Sequence, residues 1–150
     1  MIYINNTIKE SIVDGEGLRY VIFTQGCPHH CKGCHNEQTW DFSKGHWVNE
    51  ASIIKDILSN PLLDGITISG GEPLAFEENQ KGLIRIADVI RKHSKTVWLY
   101  TGYLYEQIKD KEIIKHIDMI VDGPFIERCK CYEGFKGSSN QRIIRLNKGI

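Results

Sequence analysis

Three cysteines, Cys27, Cys31 and Cys34, lie in the run Gly26-Cys27-Pro28-His29-His30-Cys31-Lys32-Gly33-Cys34-His35-Asn36. Spacings of four and then three residues put three thiolates on one tight loop. Thiolates are soft ligands, suited to zinc or to iron–sulfur clusters. A closed structural zinc site, or a closed cluster, takes four protein ligands. Three thiolates leave one position open, and an open metal position is where chemistry is done. The alternative is a zinc site completed by His29, His30 or His35, a binding module without turnover. Zinc knuckles usually come as two separated pairs, which weighs against it.

The elements around the loop fit a chemical role. Arg19-Tyr20-Val21-Ile22-Phe23-Thr24-Gln25 is rich in β-branched and aromatic residues and reads as a buried strand. The cysteines therefore begin where a strand ends, and in α/β folds that C-terminal end is where sites are built. Asn49 is placed to cap a helix with Ile53, Ile54, Ile57 and Leu58 on one face, and Pro61 marks its end. Gly65–Ser69 reads as a strand running into Gly70-Gly71-Glu72-Pro73. Leu83, Ile86, Ala87 and Ile90 mark a second helix, and Thr96–Tyr100 a third strand. Leu104, Ile108, Ile113 and Ile114 suggest a third helix, Asp118–Val121 a fourth strand, and Arg142–Leu146 a last one. Strand and helix alternate, which predicts an α/β fold with a mostly parallel sheet. The units are too few for a closed eight-stranded barrel, so an open, partial (β/α) barrel is expected, as one domain over 1–150.

Composition narrows the function classes. The chain has 150 residues, with 19 basic and 19 acidic side chains. That balance gives no basic patch for a nucleic-acid partner. No apolar run approaches the ~20 residues of a membrane helix, and the N-terminus lacks the regions of a signal peptide. Five cysteines, an odd number in two short clusters, suit a reducing cytoplasm and a metal site better than a disulfide framework. Cys129 and Cys131 add to no four-ligand set and are read as incidental. His46, His93 and His116 are expected at the surface, and His29 and His30 receive no catalytic role.

Cys27-x3-Cys31-x2-Cys34 resembles the motif of radical S-adenosylmethionine (radical SAM) enzymes, and Gly70-Gly71-Glu72-Pro73 resembles the second motif of that superfamily. The resemblance implies a 4Fe-4S cluster on Cys27, Cys31 and Cys34, with SAM on the fourth iron. It further implies contact between the SAM amino group and backbone at Gly71, supported by Ser69, Gly70 and Glu72. Many members carry an aromatic residue just before the third cysteine. Gly33 stands there in this chain, so adenine contact falls to the Gly33 backbone and His35. A Gly71→Val change is expected to keep the cluster and weaken SAM binding.

Further stretches narrow the likeness. Asp14-Gly15-Glu16-Gly17-Leu18-Arg19, Thr39-Trp40, Thr101-Gly102-Tyr103, Val121-Asp122-Gly123-Pro124-Phe125 and Gly137-Ser138-Ser139-Asn140-Gln141-Arg142 resemble the activating proteins of anaerobic ribonucleoside-triphosphate reductase. These are small glycyl-radical-enzyme activases. The resemblance implies a 5′-deoxyadenosyl radical that removes hydrogen from a glycine of the large reductase subunit. It also implies an electron donor protein such as flavodoxin. Activases of other glycyl radical enzymes, such as pyruvate formate-lyase, are the sibling alternative. Thr101 and Asp122, at strand ends, read equally as contacts to SAM or peptide and as turn and cap residues.

Overall fold

The computed structural model describes residues 1–131 and 134–146. The C-terminal residues 147–150 of the expected domain lie outside them. Strands β1 (Ile2–Ser11), β2 (Arg19–Thr24), β3 (His46–Val48), β4 (Gly65–Gly70), β5 (Thr96–Tyr100), β6 (Met119–Asp122) and β7 (Arg142–Arg145) form one sheet in the order β3-β1-β2-β4-β5-β6-β7. The central four, β2-β4-β5-β6, are parallel. The outer pairings, β3 with β1, β1 with β2 and β6 with β7, are antiparallel. The parallel core agrees with the sequence reading. The sheet is open, with β3 and β7 as its edges.

Two strands escaped sequence reasoning. β1 carries Asn5-Asn6 in mid-strand and bulges between Ile4 and Asn6, so its alternation is broken. β3 is only three residues long and mostly exposed. The expected third helix is also corrected. It divides into α3 (Tyr105–Ile108) and a separate 3-10 turn over Glu112–His116, interrupted by the polar Lys109-Asp110-Lys111.

Helix α1 (Glu50–Leu58) starts at Asn49, whose side chain accepts a hydrogen bond from the Ala51 N–H at 2.7 Å. Such a cap contributes ~1 kcal/mol. Helix α2 (Glu77–Lys92) buries Leu83, Ile86, Ala87 and Ile90. These join Ile53 and Ile57 of α1 against Tyr20, Ile22, Ile66, Ile68, Val97, Leu99 and Ile120 on one face of the sheet. Strand alternation sends Arg19, Thr67, Thr96, Trp98 and Tyr100 to the other face. The β1–β2 connection covers part of that inner face, as does a strap between β6 and β7 that sets Phe135 against Trp98 at 5.3 Å. Among the described residues, no helix is long and apolar enough to cross a membrane.

Candidate metal and cofactor centre

All four parallel strands end on the same rim. The cysteine loop leaves β2, Gly71-Glu72 leaves β4, Thr101-Gly102-Tyr103 leaves β5, and Gly123-Pro124-Phe125 leaves β6. They surround a cavity of about 630 Å³ whose wall includes Cys27, Cys31, Cys34, His35, Trp40, Ser69, Gly70 and Gly71. Gly33 and Glu72 are not on that wall.

The base of the cysteine loop is tied by backbone. The Gly26 N–H donates to the Thr39 carbonyl at 2.7 Å, and the Cys27 N–H to the Trp40 carbonyl at 3.1 Å. The Gln25 side-chain amide, fully buried, donates to the carbonyls of Gln38 and Asp41 at 3.1 and 2.7 Å. Within the loop, the Asn36 N–H points at Cys34 Sγ at 3.4 Å. Burial pushes the Cys27 thiol above its ordinary pKa, with Glu72 and Cys31 adding to the shift, while the His29 and His30 backbone opposes it. A bound cation reverses that balance, because a coordinating thiol loses its proton.

These residues fit an iron–sulfur cluster. A single zinc ion needs its thiolates about 2.3 Å from one point. Among the described residues, no three or more His, Cys, Asp or Glu side chains are gathered in that way. The three thiols instead line a shared cavity, as a larger multi-iron body requires. A second observation supports the fit. Among the described residues, Trp40 Nε1 is the buried side-chain polar atom without a hydrogen-bond partner. Such an orphan donor costs about 1–3 kcal/mol and calls for an acceptor at the site.

Glu72 serves this rim from within. Its side chain is fully buried and accepts from His29 Nε2 at 2.7 Å, Thr101 Oγ1 at 2.9 Å, the Gly102 N–H at 2.7 Å and the Leu74 N–H at 3.1 Å. One carboxylate thus links the cysteine loop to the ends of β4 and β5. Thr101 takes part in this link through its hydroxyl. Asp122 caps α3 by accepting from the Tyr105 N–H at 2.7 Å, and it also pairs with Arg142. The turn-and-cap reading describes both.

The glycines admit protein backbone. A Cβ at Gly71 would lie 2.6 Å from the Gly26 carbonyl oxygen and 2.9 Å from that of Thr39. At Gly70, with φ of +108°, it would lie 2.4 Å from the Thr24 nitrogen. The expectation that Gly71→Val spares the cluster is therefore revised, because a side chain there would displace the cysteine loop itself. Gly33 has φ of +76° and its Cβ would strike Glu127 at 2.8 Å, so it packs outside the cavity. His35 does line the cavity and meets Phe125 edge-on, with ring centroids 5.3 Å apart.

Sequence reasoning missed several contributors. His29, given no role, is clamped by Glu72 and by Tyr103, whose ring lies 4.6 Å away. Cys131, read as incidental, reaches the cavity wall with Lys130, Phe135 and Lys136 of the strap. The Gly-Ser-Ser-Asn-Gln stretch fastens that strap. Gln141 Oε1 accepts from the Gly137 and Ser138 N–H groups at 2.8 and 3.2 Å, and Gln141 Nε2 donates to the Gly123 carbonyl at 3.0 Å. Asn140 donates to the Pro124 carbonyl at 2.8 Å. His46 and His93 are exposed, as expected, and His116 is half-buried.

A parallel-stranded core with three thiols and a diglycine turn at its C-terminal rim defines an iron–sulfur domain. Residues 13–144 match the family described as "4Fe-4S single cluster domain", to which the chain belongs. The chain is 33% identical over 142 residues to the anaerobic ribonucleoside-triphosphate reductase-activating protein of Enterobacteria phage T4, covering 92% of this chain and 90% of that protein. The proteins of the same name from Vibrio cholerae and Escherichia coli K12 are 34% and 33% identical, each over 90% of this chain, with 92% and 93% of their own lengths covered. Within the iron–sulfur class, the chain is a member of the anaerobic ribonucleoside-triphosphate reductase-activating protein family. The fold is shared with QueE from Escherichia coli, at a TM-score of 0.52 and 19% identity over 67% of this chain. The chain spans about half of that protein, 52%.

Proposed function

We infer that this chain is a single-domain radical SAM activase that generates a glycyl radical on the large subunit of anaerobic ribonucleoside-triphosphate reductase. The observation that carries this reading is the convergence of Cys27, Cys31 and Cys34 with the diglycine turn on one cavity at the ends of parallel strands. The relatives' shared name supplies the target. Cys27, Cys31 and Cys34 would hold a 4Fe-4S cluster, leaving one iron without a protein ligand. With one electron from such a cluster, SAM cleaves to methionine and a 5′-deoxyadenosyl radical, which takes hydrogen from a partner glycine to give 5′-deoxyadenosine.

This chain's residues supply position and exclusion. Ser69, Gly70 and Gly71 present backbone at the cavity wall for the SAM methionyl group, and Glu72 holds that turn against the cysteine loop. His35, with Phe125 beside it, offers an aromatic surface for adenine, while the Gly33 turn shapes the loop that carries His35. The strap narrows one side of the cavity through Phe135 and Lys136. The partial-barrel curvature expected from the sequence belongs with this reading, since a shallow cavity admits a glycine-bearing loop of a protein substrate. The setting is cytoplasmic, with an electron donor protein such as flavodoxin and neither nucleic acid nor membrane as partner.

The test is anaerobic reconstitution with iron and sulfide, followed by SAM, reductant and the large reductase subunit. Expected are 5′-deoxyadenosine and a glycyl radical signal on the reductase, both lost in Cys31→Ala. A wild-type protein that takes up one zinc and no iron–sulfur cluster would overturn the reading.

A further inference from the structure

Trp40 is bound to the cysteine loop from two sides. Its carbonyl accepts from the Cys27 N–H at 3.1 Å, and its ring stacks on His30 with centroids 4.6 Å apart and planes 5° from parallel. His30 itself is held in the left-handed region, at φ of +48°. The indole is thus fixed in place, and it lines the same cavity as Cys27, Cys31 and Cys34. Its Nε1–H is buried and unpartnered. An indole nitrogen only donates, so whatever satisfies it must bring a lone pair. A cluster seated on the three cysteines brings sulfide and thiolate sulfurs into this cavity.

We propose that the Trp40 indole N–H donates a hydrogen bond to a sulfur of the cluster held by Cys27, Cys31 and Cys34, and so sets how readily that cluster is reduced. The inference rests on the cluster reading above and deepens it by naming a tuning residue. Reduction adds negative charge that spreads onto the sulfurs, so a donor aimed at one of them stabilises the reduced form more than the oxidised form. Hydrogen bonds to cluster sulfurs are among the recognised determinants of potential. Trp40 is a positioning and tuning residue here and takes no part in bond cleavage.

The test is a potentiometric titration of the reconstituted cluster, without SAM, in wild type, Trp40→Phe and Trp47→Phe. Phenylalanine keeps an aromatic ring for His30 and removes the donor. Trp47, exposed on β3 away from the cavity, controls for loss of a tryptophan. Trp40→Phe is expected to lower the reduced-to-oxidised ratio at fixed potential by about tenfold, a shift of ~59 mV to more negative potential for one electron. Trp47→Phe is expected to shift nothing.

If Trp40→Phe does not load iron, 3-benzothienylalanine at the same position preserves the indole shape with sulfur replacing the N–H. In the wild type, ¹⁵N labelling of the tryptophan indoles should reveal one nitrogen coupled to the reduced cluster spin, absent from Trp40→Phe. An unchanged potential with a normal cluster and normal 5′-deoxyadenosine formation would overturn this inference alone. An unchanged potential with weakened SAM affinity would assign the donor to SAM and overturn it too. Absence of a cluster in the wild type would remove both this inference and the activase reading.

Discussion

The two faces of the central sheet use the same strands for opposite ends. Toward α1 and α2, β4 presents Ile66 and Ile68, and β5 presents Val97 and Leu99, all fully buried in an aliphatic core. On the inner face the same strands present Thr67, Thr96, Trp98 and Tyr100 around a buried Arg19. That guanidinium donates to Thr67 Oγ1 at 2.9 Å and to the Ile66 and Thr96 carbonyls at 2.8 Å. Burial lowers its pKa to about 10, with Asp64 and Asp118 opposing the shift, so it keeps its charge at neutral pH. The aliphatic face stabilises through area removed from water, whereas the inner face depends on paired polar groups, where one unmatched partner is costly. A cofactor cavity can be built only on the second kind of surface, because its groups have fixed directions.

Five changes test this division. Cys31→Ala is expected to abolish the iron–sulfur absorption and 5′-deoxyadenosine formation, while the thermal unfolding midpoint of the iron-free protein stays near the wild-type value. Gly71→Val should follow closely, with a large loss of reconstituted iron as well as of SAM binding, read by iron content and equilibrium dialysis. Full cluster occupancy with only SAM affinity impaired would favour direct ligand approach at Gly71 over the backbone contact with Gly26.

Ile68→Ala lies on the other face and should cost about 2–5 kcal/mol in denaturant unfolding, with cluster potential unchanged in the folded protein. Glu72→Gln joins the two behaviours, since its carboxylate bridges strand ends and cysteine loop. About 1–3 kcal/mol of stability should be lost, and cluster reconstitution should slow several-fold. Normal reconstitution at reduced stability would confine Glu72 to the fold.

The smallest effect concerns the β7 edge. Hydrogen bonds from Arg142 hold Glu106 at a pKa of about 2, below the ordinary 4.5. A lowered folded-state pKa gives stability that is present above pH 4.5 and lost as pH falls toward 2. Acid unfolding of Glu106→Gln should therefore be flatter across that window, with little difference at pH 7.

The sequence was most readable where local pattern and local structure coincide. β2, β4, β5 and β6 announce themselves by β-branched runs, α1 by its Asn49 cap, and α2 by its Leu83-Ile86-Ala87-Ile90 stripe. β1 and β3 were not legible because their pairing comes from partners distant in the chain. The same limit governs the site. Three cysteines close in sequence declare a metal loop, but the His29–Glu72 pair spans 43 positions, and no local signal joins them. The glycines were recognised, yet what approaches them is the carbonyl of Gly26, which only the packed structure brings near. Trp40 stood out as part of a resemblance, and only its unpaired nitrogen gives it a task.

The tied base of the cysteine loop bears on how long one molecule serves. Backbone bonds at Gly26 and Cys27, reinforced by Gln25, close the loop with protein contacts alone. In small zinc domains the metal supplies the folding energy, and its removal unfolds the chain. Here most of the ordering is complete before iron arrives, so cluster assembly carries a small entropic penalty. A cluster destroyed by oxygen leaves behind a folded, empty socket, and the same chain is ready for repair in place.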